Sequence, residues 1–140
     1  MITIKQAAAE FLTKKRIAVT GVSREPQTHA ADEVEGDRCH PDLKSIPGGV
    51  EAVVIGTRPE AAEDTVRECV ALGIRQVWMH RLFGSGSVSE KAAAFGREHG
   101  ITVIEGGCPL LFGLTADTGH KVMRVALTPA GRLLRRVEVA

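Results

Sequence analysis

The sequence predicts an α/β domain built on a parallel sheet covered on both faces. Three observations predict it. Four short β-rich apolar runs occur, at Ile17 to Thr20, Ala52 to Ile55, Gln76 to Met79 and Ile101 to Ile104. None alternates apolar with polar residues, as expected of strands buried on both faces. Helical stripes separate the last three runs, and both of those helices end in Gly-Ile (Gly73-Ile74 and Gly100-Ile101). Two αβ units in series predict right-handed crossovers and a doubly wound, three-layered sheet.

Each element has its own signals. An N-terminal helix is expected within residues 1–15. Thr3 and Gln6 stand in capping-box spacing, and Ile4, Ala7, Ala8, Phe11 and Leu12 form one apolar stripe. Lys14, Lys15 and Arg16 are expected to complement its negative end. In the second helix Pro59 suits the first position, Ala62, Val66, Cys69 and Val70 make the stripe, and Gly73 is a left-handed cap. Ser87 and Glu90 predict a capping box for the third helix, with Val88, Ala92 and Phe95 on its apolar face and Gly100 at its end. His99 is expected to cap the same helix end. Between Glu25 and Gly49 the chain is polar and rich in Pro and Gly, with a helical hint of about one to two turns near Pro41 to Ile46. A last helix is expected over Asp117 to Met123. The basic tail, residues 129–140, is expected to be frayed or lightly docked.

The 140 residues suit a single domain, 1–140. A chain of this size can bury roughly two-thirds of its unfolded surface, enough for a core without disulfides. No apolar run approaches the ~18 residues of a membrane span, and no basic-then-apolar leader opens the chain. Three cysteines without C-x-x-C spacing suit the reducing cytoplasm. A net charge of +1 and an aromatic content of 4% give no pull toward nucleic acid.

Ligands of open parallel sheets bind beyond the carboxyl ends of the strands. Three strand ends deliver an arginine there: Arg24, Arg58 and Arg81. Guanidinium forks pair well with phosphate oxygens. Gly21 and Gly56 allow close backbone approach, and Ser23 and Thr57 add hydroxyls. Together they point to an extended anion with more than one phosphate; the plainer alternative pairs the arginines with Glu25, Glu60 or Asp64. The turn Gly21-Val22-Ser23-Arg24-Glu25-Pro26 departs from the G-x-G-x-x-G dinucleotide fingerprint, because Ser23 and Pro26 occupy glycine positions.

Several motifs then resemble those of the small bacterial stand-alone CoA-binding proteins. They are Phe11-Leu12, Lys15-Arg16-Ile17-Ala18-Val19 with Gly21-Val22-Ser23-Arg24, Glu35-Gly36-Asp37-Arg38-Cys39, Leu43-Lys44-Ser45-Ile46-Pro47, and Arg67-Glu68-Cys69 with Leu72-Gly73-Ile74. Val77-Trp78-Met79-His80, Glu98-His99-Gly100-Ile101-Thr102-Val103-Ile104 and Gly106-Gly107-Cys108-Pro109 complete the set, from about Phe11 to Met123. The resemblance implies a Rossmann-like domain, similar to the CoA-binding domain of succinyl-CoA synthetase, that binds coenzyme A or an acyl-CoA with no assigned reaction. It implies that Gly21, Val22, Ser23 and Arg24 cradle phosphate and that Thr57, Arg58 and Pro59 line the nucleotide side. Val77 to His80 would then lie near the crevice, with Trp78 as core or as an edge against adenine. CoA carries a pyrophosphate and a 3′-phosphate, which also meets the arginine argument.

The sequence departs from that family after the first turn. A helix, a strand and an Asn-Pro loop are absent between Thr28 and Asp37. The absent strand is expected to lie between the first strand and Ala52 to Ile55. Either those strands close up, or a segment of the natural chain is omitted; the reading favours omission.

Other candidates have plainer explanations beside them. Ser85-Gly86-Ser87 could hold a phosphate at a helix start, or Ser87 could simply cap it. Cys108 could exchange acyl or disulfide groups with CoA, with His80 or His120 as base, or it could be a thiol packed under a turn. His80, Cys108 and His120 lack compact metal-ligand spacing, so no metal is expected. Cys69 lies on an apolar stripe and is expected in the core. The basic tail alone motivates a nucleotide-sensing interaction module, and homo-oligomer formation has no readable signal.

Overall fold

The computed structural model describes residues 2–21, 33–34, 37–38, 40–81, 86–109 and 136–137. Strand β1 (Ile2–Thr3) leads into helix α1 (Ile4–Leu12), then β2 (Ile17–Val19), β3 (Glu33–Val34), β4 (Asp37–Arg38) and β5 (Ala52–Ile55). Helix α2 (Pro59–Leu72), β6 (Gln76–Met79), α3 (Glu90–Glu98), β7 (Thr102–Glu105) and β8 (Arg136–Val137) follow. The main sheet has four parallel strands in the order β2-β5-β6-β7. The expected α/β architecture, a parallel sheet with helices on both faces, is therefore present.

Both faces of this sheet are covered, which explains the unbroken apolar runs. Val53, Ile55, Val77, Met79 and Val103 face Ala62, Val66 and Cys69 of α2 and Ala92 and Ala93 of α3. On the other face Ala52, Val54, Trp78 and Ile104 pack with Ile4, Ala7, Ala8 and Phe11 of α1. Val137 joins this second cluster and is 2% exposed. Residues 136–137 of the tail are thus docked: β8 pairs antiparallel with β1, Ile2 opposite Val137.

The place of the absent strand differs from expectation. β2 pairs directly with β5, in the register Ile17↔Ala52, Ala18↔Val53 and Val19↔Val54. No strand intervenes between them, and their facing backbone groups satisfy one another. β2 has no second strand neighbour among the described residues. Its residues are only partly covered, and Val19 is 64% exposed while β5 and β6 are buried throughout. The described strands run in one direction across the sheet, so they contain no reversal of strand order.

The helix ends follow the local rules, with two corrections. Thr3 and Gln6 form the expected capping box, Pro59 opens α2, and Gly73 closes it at φ 73°. His99 is the C-cap of α3, its Nδ1 2.8 Å from the Phe95 carbonyl oxygen. The cap that opens α3 is Ser89, whose hydroxyl accepts from Ala92 N–H at 3.2 Å; Ser87 is buried and its N–H donates to the His80 carbonyl at 2.8 Å. That backbone bond draws Ser87 out of the helix. The basic residues after α1 do not complement the helix end either. The Arg16 guanidinium instead donates to the carbonyls of Pro47 and Gly49. Residues 41–46 form turns rather than a helix, with Asp42 accepting from Ser45 N–H at 2.8 Å. The expected helix over Asp117 to Met123 lies outside the described residues.

Glu51 fixes the amino ends of β2 and β5. Its carboxylate accepts from Arg16 N–H and Lys15 N–H, at 2.9 and 2.8 Å. These bonds, the Arg16 one foremost, hold its pKa below 4.5. A depressed folded-state pKa gives stability that is present above the unfolded value and lost as pH falls through the folded value. Replacement Glu51→Ala is therefore expected to lower the urea midpoint at neutral pH. The gap to the unaltered protein should narrow as the pH drops below the ordinary carboxylate range; a gap independent of pH would refute this role.

Candidate nucleotide site at the carboxyl end of the sheet

The site begins where the turns after β2 and β5 abut. Thr20 N–H donates to the Val54 carbonyl at 2.9 Å, and Gly56 N–H donates to the Thr20 carbonyl at 3.2 Å. Gly21 has φ 95°, and a Cβ there would lie 2.5 Å from the Gly56 carbonyl carbon and oxygen. A Cβ on Gly56 would lie 2.7 Å from the Thr20 oxygen. Both contacts are to backbone, so side chains at these positions would force the turns apart. The two glycines are thus required for the strand ends to meet. Val22, Ser23 and Arg24 lie outside the described residues.

Beyond Gly56, Thr57 is half-buried and its Oγ1 is shielded from solvent without a hydrogen-bond partner among the described residues. Arg58 is the exposed N-cap of α2 and supplies no side-chain cap. Pro59 occupies the first turn, where its missing N–H costs nothing. The positive end of α2 therefore stands at the carboxyl end of β5, countered locally by Glu60.

The next strand delivers His80 and Arg81. His80 N–H donates to the Ile55 carbonyl at 3.0 Å, which ties the ends of β5 and β6 together. Burial pushes the imidazole below 6.5, so His80 is neutral at pH 7 and offers one donor and one acceptor. Arg81 extends β6 by a bridge to Gly107: Arg81 N–H donates at 3.0 Å and Gly107 N–H returns at 2.7 Å. Its guanidinium lies over Gly106, where a Cβ would stand 3.3 Å from Nη2. Neither Arg58 nor Arg81 has an ion-pair partner among the described residues. Neighbouring parallel strands lie ~4.8 Å apart. Since Ile55 and Met79 are in register, Arg58 and Arg81 follow adjacent strand ends.

Other candidates fall elsewhere. Trp78 is 0% exposed and packs edge-on against Phe11 at 5.4 Å, so the structure places it in the core rather than along a crevice. Cys108 is buried, and so is Cys69, a free thiol whose pKa burial raises to about 12. Cys39, Ser85 and His120 lie outside the described residues. The Gly106-Gly107 turn, named among the motifs, stands at this end as well. Two consecutive glycines directly after a strand were the available signal; both have positive φ, 90° and 75°.

Known proteins match this arrangement. A family described as a CoA binding domain matches residues 6–113. A hypothetical protein from Pyrococcus horikoshii superposes with a TM-score of 0.64 at 22% identity, covering 75% of this chain and 86% of its own. A protein from Thermus thermophilus superposes at 0.58 with 20% identity, covering 85% and 98%. The dinucleotide-forming acetyl-coenzyme A synthetase 1 of Ca. Korarchaeum cryptofilum superposes at 0.51 with 16% identity, over 69% of this chain but 27% of that one. Identities this low carry the fold alone. The match over residues 6–113 carries the family: this chain belongs to the CoA binding domain family.

Proposed function

We propose that this protein is a non-catalytic cytoplasmic module that binds coenzyme A or an acyl-CoA at the carboxyl ends of β2, β5 and β6. One observation carries the reading: adjacent strand ends present Arg58 and Arg81 without ion-pair partners among the described residues. Beside them stand the glycine-lined turns at Gly21 and Gly56. A polyphosphate needs that combination, because the backbone must approach closely and the fixed positive charge must be uncommitted. Gly21 through Arg24, Thr57 to Pro59, His80 and Arg81 are the residues assigned to the nucleotide. Burial of Cys108 and Cys69 supports binding over thiol exchange, since exchange needs an accessible thiolate. Three cysteines without C-x-x-C spacing suit the reducing cytoplasm. Among the described residues no helix is long and apolar enough to cross a membrane.

Thermal unfolding with CoA tests the reading. At about 100 times its Kd, a ligand of the native state alone adds ~2.7 kcal/mol of stability. An unchanged transition at millimolar CoA would overturn the proposal.

The arginines can be tested singly. Arg58→Gln and Arg81→Gln are each expected to weaken CoA binding roughly tenfold, the worth of one charge-assisted bond. Calorimetry with 3′-dephospho-CoA then separates the phosphates. A loss that disappears with this ligand assigns that arginine to the 3′-phosphate, and one that persists assigns it to the pyrophosphate. Full affinity in both variants would exclude these guanidiniums from the site.

A further inference from the structure

The Gly106-Gly107 turn is held from two sides. On one side lie the backbone bonds to β6: Gly106 N–H donates to the Met79 carbonyl at 2.8 Å, and Arg81 and Gly107 exchange their pair of bonds. On the other side a core residue reaches up. Trp78 Nε1–H donates to the Gly106 carbonyl oxygen at 2.9 Å, in a fully buried bond. On the core side the indole meets the Phe11 ring at 87° and 5.4 Å. Gly106 thus has its N–H bound to β6 and its C=O bound to the core. The Arg81 guanidinium lies beside the Gly106 Cα, where a Cβ would stand 3.3 Å from Nη2.

The geometry points to Trp78 as a positioning residue for the anion site. Its N–H holds the Gly106–Gly107 peptide, whose own N–H is bonded to the Arg81 carbonyl, and so fixes Gly106 beside the Arg81 guanidinium. This rests on the CoA-binding reading for its consequence, but the mechanical part is independent of any ligand. Phe or Leu would fill most of the volume of Trp78 in the core. What they lack is the donor, and without it the buried Gly106 carbonyl loses this partner.

Trp78 is the chain's one tryptophan, so it can be replaced throughout by its benzothiophene analogue without disturbing another site. The analogue keeps the shape and lacks the N–H. Amide exchange then separates positioning from core support. Positioning predicts that the Arg81 and Gly107 amides exchange roughly tenfold faster, while Val54 and Val77 in the sheet interior keep their protection. Phe11→Leu, which loosens the same core and leaves the N–H intact, should show the opposite pattern. Trp78→Phe provides the encoded counterpart where the analogue incorporates poorly.

For CoA, the analogue protein should bind roughly tenfold more weakly, and in an Arg81→Gln background the analogue should cost nothing further. A uniform loss of protection across the sheet, or equal weakening by Phe11→Leu, makes Trp78 a core residue only and overturns the inference. So does an undiminished analogue effect in the Arg81→Gln background. If the unaltered protein binds no CoA, the functional reading falls instead, and the exchange contrast at Arg81 and Gly107 still decides whether Trp78 holds the turn.

Discussion

The contact on which the carboxyl end of the sheet depends is between two backbones. β2 and β5 run side by side, and their exit turns meet with Gly21 set against the Gly56 carbonyl. A methyl group at either position would occupy space already filled by main chain. Direct pairing of these strands and the close approach of their turns are therefore one arrangement. If the turns were forced apart, Thr20 would lose its bond to Val54 and Gly56 its bond to Thr20. His80, tied to Ile55 one strand further on, would lose its reference as well.

Closing β2 onto β5 has a cost at the other edge. A strand inside a parallel sheet is covered by neighbours and by both helical layers. β2 keeps one neighbour among the described residues, and Val19 remains largely exposed. Its apolar sequence, indistinguishable from that of the interior strands, suits a position with more cover than the sheet gives it. The resemblance led to the expectation of a further strand between β2 and β5, and their direct pairing corrects that place. The order of strands in a sheet depends on long-range pairing, and the apolar run of β2 contains nothing that tells an edge from an interior.

Much of the rest was legible because it is local. The Thr3–Gln6 capping box, Pro59 at the start of α2 and Gly73 at its end are all set within one turn of backbone. The four strands were legible from apolar runs that need cover on both faces. The failures share a different cause. Ser87 has the right spacing for a cap, yet a bond to His80 from another element overrides it. Arg16 looked like a helix-end charge, yet the Pro47 and Gly49 carbonyls claim it. Val137 buries itself in the core because β8 finds β1 at the far end of the chain. In the site, Arg58 and Arg81 could be assigned to strand ends from sequence. The support beneath Arg81, through Gly106 to Trp78, is a tertiary contact with no signature in spacing.

The two ends of the sheet treat their charges differently, and that contrast supports the proposed site. At the amino ends the charged groups are spent on backbone. Arg16 holds the loop before β5, Glu51 takes two N–H groups before β2, and Arg75 donates to the Gly100 carbonyl at 3.3 Å before β7. Such bonds shorten and stiffen connections but leave nothing for a ligand. At the carboxyl ends backbone binds backbone instead, through Thr20, Gly56, His80, Arg81 and Gly107. The turns there close without the Arg58 and Arg81 side chains, and these guanidiniums have no ion-pair partner among the described residues. An uncommitted cation at a surface costs little in isolation, because water solvates it. Its value appears when a polyanion displaces that water against a rigid backbone already shaped to receive it, with little further ordering of the protein to offset the gain.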